Sequence, residues 1–284
     1  MKEQAKQKVG FGVLLFATLL VVIPVVLIIW LIISKGASAL SFKFLFTMPQ
    51  DGMKAGGILP AIVGTFYLVV VSIAFSLPIG VLAAIYLSEY AKDNALTRTI
   101  NLAIINLSGV SSVVFGLFGL SLFVVFLKFG VSIISGALTL GIMTLPVIIT
   151  TTREALRAVP RAYREVSVSL GATRWQTIRH SVLPFATPGI LTGAILSIGR
   201  VAGETAPILF TVAAFYLPRL PHSLGDQAMA LPYHLYITST QIPGIPENYR
   251  YGTALVLVGL VLIMNITALV IRTRFRRKTL RATG

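Results

Sequence analysis

The sequence predicts an all-α integral membrane protein with six transmembrane helices and both termini in the cytoplasm. Three observations carry this reading. Apolar residues make up 56% of the 284-residue chain and charged residues only 12%, whereas soluble domains are roughly half apolar and a quarter charged. The apolar residues gather into blocks long enough to cross a hydrocarbon core, which takes about 20 residues. The net charge of +15 lies almost wholly between those blocks, so it reads as membrane topology and not as a nucleic-acid patch.

The elements follow in order. Residues 1–10 form a polar N-terminus with Lys2, Lys6 and Lys8. Residues 11–34 are span one, with Pro24 as a kink. That block is too long for a signal-peptide core and lacks a small-residue cleavage site, so it is read as retained. Residues 35–57 are an outer, periplasmic loop whose Phe42, Phe44 and Phe46 are placed at the membrane interface. Residues 58–88 are span two, tilted or kinked by Pro60, Gly64, Pro78 and Gly80, and residues 89–99 are a short charged cytoplasmic loop. Residues 100–127 are span three; Asn101, Asn106, Ser108, Ser111 and Ser112 are expected to pack and hydrogen-bond between helices. Residues 128–132 form a tight outer turn, and residues 133–152 are span four, with Pro146 late in it. Residues 153–183 carry six Arg and two Glu and cannot span. Residues 184–215 are span five, 216–250 a proline-rich outer loop, 251–271 span six, and 272–284 a basic tail.

Orientation comes from counting Lys and Arg. The N-terminus has three, the 89–99 loop two, the central segment six and the tail six, whereas the outer segments together have six. The positive-inside rule therefore places both ends and the central segment in the cytoplasm. No internal repeat and no soluble domain interrupt this single membrane domain. Cysteine is absent, the three histidines are scattered, and no nucleophile–base pair occurs, so neither a metal site nor a catalytic residue is expected. No G-x-x-x-x-G-K-[ST] loop is present for binding a nucleotide.

The central segment is the first polar feature. Pro160 ends the downward continuation of span four and can begin a new helix. Ala162, Tyr163 and Val166 give that helix an apolar face, and Gly171 permits a positive φ at its end. Trp175, Ile178 and Val182 make a second amphipathic face. On pattern alone, a helix pair resting on the anionic inner leaflet and a docking element for a cytoplasmic protein are equally open.

The second feature lies in span five. Arg200 stands 16 residues beyond Pro184, which is about 24 Å along a helix. A guanidinium at that depth costs at least ~2.5–3.5 kcal/mol to insert, so it must face protein, a counter-charge or water. Glu204 follows at i+4, on the same face of a continuous helix. Gly199, Ala202, Gly203 and Ala206 allow close backbone approach, and Pro207 loosens the helix. Two readings stay open: a self-neutralising pair that pins helix packing, or an anion station. A guanidinium fork suits a tetrahedral oxyanion. Glu204 would orient Arg200 and weaken its hold, and a protonated phosphate oxygen can donate to Glu204 where sulfate cannot.

Glu165-Val166-Ser167-x-x-x-Gly171, followed by Leu183-Pro184, resembles the EAA-x3-G-x9-I-x-L-P loop of ABC-transporter permeases. Val166-Ser167 replaces the usual alanines and Ser181 the usual isoleucine. The resemblance implies a type I ABC importer permease fold in the bacterial cytoplasmic (inner) membrane. It also implies that Tyr163, Glu165, Ser167, Leu170 and Gly171 couple to an ATPase.

Gly199-Arg200-x-x-Gly203-Glu204-Thr205-Ala206-Pro207, Val113 to Leu120, Leu170-Gly171-Ala172-Thr173-x-Trp175 and Leu231-Pro232-x-x-Leu235-Tyr236 resemble the phosphate-transport permeases of the PstA type. Ser111 stands where that family has proline, so a straighter span three is expected. This resemblance implies import of inorganic phosphate past Arg200, Glu204 and Thr205. It implies a heterodimer with a PstC-type permease, two PstB-type ATPase subunits that hold ATP and Mg, and a PstS-type binding protein outside. The alternatives are a permease of the same class for molybdate, sulfate, phosphonate or an organic solute, or a stand-alone secondary transporter.

Overall fold

A computed structural model describes residues 2–281; Met1 and the last three residues of the predicted basic tail lie outside them. Among the described residues the regular structure is helical, apart from one two-stranded hairpin and an isolated bridge between Ala213 and Ala228. Helix α1 (Lys2–Gly36) and a short turn lead to α2 (Phe42–Phe46) and the hairpin β1 (Pro49–Gln50) and β2 (Ala55–Gly56). Then come α3 (Leu59–Ile85), α4 (Ala95–Ser108), α5 (Ser112–Gly119) and α6 (Ile133–Arg157). Helices α7 (Arg161–Ser169) and α8 (Arg174–Thr177) precede α9 (Leu183–Gly203), α10 (Ala206–Thr211), α11 (Leu231–Thr240) and α12 (Glu247–Arg281).

Among the described residues, five helical segments are long and apolar enough to cross a membrane, or six if a bent pair is counted as one span. Pro24, Pro78, Pro146 and Pro188 all lie inside helices, as membrane helices tolerate. Helices α3, α6 and α9 form the centre, with α12 against α9 and α1 against α12. Small residues set the α6–α9 spacing: a Cβ on Gly189 would meet Ala155, and one on Gly193 would meet Thr151. From Phe11 to Leu31 the apolar side chains of α1 stay exposed, as expected of a surface solvated by lipid.

Span three departs from expectation. Helix α4 and the helix running on from α5 to Phe126 meet at 105°. The bend forms without the proline, because Gly109 and Ser111 make it themselves. Gly109 donates to the Asn106 carbonyl (3.0 Å) and Val110 to that of Leu107 (3.3 Å), closing the end of α4. Ser111 is extended (φ −63°, ψ 144°), and its carbonyl accepts from Val114 (3.1 Å) to start α5. Backbone hydrogen bonds thus take up part of the orphan groups at both helix ends. Gly116 lets α5 lie against Ala206 and Pro207 of α10, and Gly119 faces Thr139 of α6, which gives the two glycines of the Val113–Leu120 stretch a packing role.

The loop after span one is also more ordered than its sequence suggests. Ser41 caps α2, accepting from the Phe44 amide at 3.1 Å. Being helical, the segment sends its three phenylalanines different ways. Phe44 is 5% exposed and meets the edge of Tyr249 at 5.0 Å, while Phe42 stacks on Phe46 outside at 5.1 Å.

In α11, His234 is 1% exposed, and neither ring nitrogen has a polar partner among the described residues. Burial pushes its imidazole down to about 4. The unfolded chain, with an ordinary histidine near 6.5, binds the proton first, so stability is lost as pH falls from about 6.5 to about 4, by about 3 kcal/mol. Melting of wild type and His234→Phe in detergent is expected to show a difference that moves against wild type as pH falls through this window. A pH-independent difference would contradict it.

Candidate functional site

The segment between α6 and α9 folds as a foot beneath the helices. Pro160 (φ −54°, ψ 141°) sits at the N-cap of α7. At the other end Gly171 has φ +83°, a conformation that costs other L-residues a clash with their own backbone. Gly171 donates to Val168 (2.9 Å) and Ala172 to Ser167 (3.2 Å), consuming carbonyls at the end of α7. Thr173 and Gln176 then form a reciprocal capping box that starts α8. Ile178 and Val182 turn inward onto Ile85, Leu156, Val159 and Ala186, while Trp175 stays 47% exposed. The expected second apolar face is thus only partly buried.

Of the predicted coupling residues, Tyr163, Glu165, Leu170 and Gly171 are exposed and Ser167 is half-buried. Leu170 is 83% exposed. Ala162, Tyr163, Val166, Ser167, Leu170 and Ser181 line an open groove of 320 Å³ with an almost wholly apolar surface. The two departures from the EAA pattern explain each other: Ser181 donates to Ser167 at 3.2 Å, tying α7 to the approach to α9. Tyr163 packs on Phe185 with ring centroids 4.4 Å apart. A polar pair and an aromatic pair therefore hold the foot to α9 and its approach.

The charged pair of span five has a different geometry from the predicted one. Helix α9 ends at Gly203, and Glu204 is extended (φ −75°, ψ 137°) instead of continuing the helix. The cause is Pro207, which has no N–H to give the Gly203 carbonyl and would clash with it; it falls instead in the first turn of α10. Arg200 lies in the last turn of α9, where the helix dipole favours a cation. From the break, Glu204 reaches back to accept from Arg200 Nε at 3.4 Å. Their side chains are 31% and 18% exposed. No other hydrogen bond of the Arg200 guanidinium occurs among the described residues, so the paired terminal nitrogens of the fork are left for another acceptor. Thr205 is half-buried beside them. Gly203 is exposed with open space where a side chain would stand, whereas a Cβ on Gly199 would meet Asn265 of α12 at 3.6 Å and Ala202 is fully buried. The small residues thus do two jobs, packing on one side and leaving the break open on the other.

Sequence reasoning passed over Arg164, counting it only as topological charge. It bonds Glu89, in the turn that follows α3, at 2.7 Å and 3.3 Å. Nothing in the spacing of residues so far apart could have signalled the pair.

Long apolar helices with a largely exposed foot and a break inside one helix fit a multi-pass membrane permease. The chain belongs to the binding-protein-dependent transport system inner membrane component family, which it matches over residues 76–281. It is therefore a multi-pass protein of the cytoplasmic membrane. It is 36% identical over 283 residues to the probable ABC transporter permease protein YqgI of Bacillus subtilis (strain 168), covering 94% of this chain and 95% of that one. It is 34% identical over 288 residues to the phosphate transport system permease protein PstA 1 of Mycobacterium tuberculosis (strain H37Rv), covering 98% and 92%. A chain of the crystallised bacterial ABC transporter that imports the acidic polysaccharide alginate superposes with a TM-score of 0.65 at 16% identity, covering 95% of this chain and 99% of that one. The fold is that of type I ABC importer permeases.

Proposed function

We propose that this chain is the transmembrane permease subunit of an ATP-driven importer of inorganic phosphate, forming half of the pathway by alternating access. It performs no hydrolysis itself; ATP and Mg belong to two PstB-type ATPase subunits beneath the foot. A PstC-type permease completes the pathway, and a PstS-type protein delivers phosphate from outside. Both termini and the foot face the cytoplasm. Tyr163, Glu165, Ser167, Leu170 and Gly171 receive the ATPase, and phosphate passes Arg200, Glu204 and Thr205.

The observation that carries this reading is the loosely held guanidinium. Its one hydrogen bond among the described residues, at 3.4 Å, is longer than a good charge-assisted bond. Two parallel N–H groups can therefore take a tetrahedral oxyanion without first breaking a strong pair. Glu204 repels a fully ionised anion but accepts from a protonated phosphate oxygen. Release follows only if the inward state binds phosphate more weakly than the outward state. The relative named as a phosphate permease supports the choice of cargo.

The test is uptake by the assembled complex in vesicles. Arsenate, with phosphate's protonation and shape, is expected to compete at concentrations similar to phosphate, and sulfate is not. Competition by sulfate over arsenate overturns the choice of cargo. ATP-independent uptake overturns the class of mechanism.

A further inference from the structure

We propose that Arg164 is the positioning residue that carries motion of the foot into α3 and α6. This deepens the ATP-driven reading and rests on it. Arg164 lies on α7, one residue before Glu165, and its side chain points away from the docking groove. Nε and Nη2 bond Oε2 and Oε1 of Glu89 at 3.3 Å and 2.7 Å. Nη2 also donates to the Leu156 carbonyl at 2.9 Å, and Nη1 to that of Val159 at 3.0 Å. Leu156 is in the last turn of α6 and Val159 lies two residues past its end, where a cation is favoured; the Leu156 carbonyl also accepts from the Val159 amide at 3.3 Å. One planar fork thus joins three elements: α7, the turn closing α3, and the last turn of α6.

Two features separate this from an ordinary surface pair. Its side chains are only 24% and 13% exposed, so solvent competes weakly. It also lies beside the buried cluster of Ile85, Leu156, Val159, Ile178, Val182 and Ala186, which joins α3 and α6 to the approach to α9 but takes no residue of α7. Without the fork that cluster still packs, but apolar contacts resist sliding weakly, because they are non-directional. Four directional bonds fix both angle and register. The Ser167–Ser181 and Tyr163–Phe185 contacts serve α9 instead, so the foot has separate linkages to the spans on either side.

The experiment uses the reconstituted complex and reads three quantities together: ATPase subunits retained, ATP hydrolysed and phosphate taken up. Glu89→Gln keeps volume and removes the charge. Arg164→Lys keeps the charge but cannot make four bonds. Both variants are expected to retain the ATPase while phosphate moved per ATP falls about tenfold, in the usual range of coupling between sites. The double variant is expected to be no worse than the more severe single one, since both break one fork. Unchanged transport per ATP in the assembled Glu89→Gln complex overturns the proposal, whether or not Arg164→Lys assembles. Loss of the ATPase from both variants also overturns it, since that makes the pair a docking element. Failure of the wider reading looks different: wild type itself would move phosphate without ATP.

Discussion

Arg200→Lys is expected to lower phosphate uptake by about ten- to a hundredfold with the subunit still inserted and assembled. The magnitude follows from what lysine lacks. A hydrogen bond to a charged group contributes about 1.5–3 kcal/mol, and about 1.4 kcal/mol is tenfold. Lysine keeps the charge and its favourable place at the end of α9 but presents a point donor instead of a fork. The side chain is 31% exposed and makes one long contact, so no buried network collapses when it changes. Uptake in vesicles at several phosphate concentrations checks this. Wild-type transport by the lysine variant would mean that Arg200 supplies charge alone and that the bidentate account is wrong.

The second large effect is expected at the foot. Glu165→Lys should reduce substrate-stimulated ATP hydrolysis by about thirtyfold or more, as when one member of an interfacial charge pair is lost at a cost of about 2–5 kcal/mol. Glu165 is exposed on α7, so the change leaves folding and insertion intact. It shares a cleft with Arg157, Arg161 and Arg164, so reversal places a fourth cation among three where a partner is expected to meet a carboxylate. Hydrolysis and co-purification of the ATPase subunits are measured on the same preparation. Wild-type stimulation in this variant would remove the foot from the docking role.

The two sites were legible to different depths. Gly171 was readable because a positive φ is a local demand that glycine meets most cheaply, and the structure gives it φ +83°. The proximity of Arg200 and Glu204 was readable from spacing, but the helix joining them was not continuous. Pro207 was visible; whether it kinks or ends a membrane helix depends on what can satisfy the Gly203 carbonyl. The bend in span three was misread for a related reason. The absent proline argued for a straight helix, yet Gly109 and Ser111 closed both ends with backbone hydrogen bonds that no composition rule counts. Arg164 was missed because its partners, Glu89, Leu156 and Val159, come together only after α3 and α6 pack.

By itself the sequence determined that this protein is a helical membrane protein, because hydrocarbon demands long apolar helices and leaves few places for charge. It also determined which residues interrupt that demand. Tertiary structure alone decided where the helices break and which polar groups meet across them. Those outcomes turn on satisfying individual backbone and side-chain groups from other segments, and the spacing along one segment carries no record of its partners.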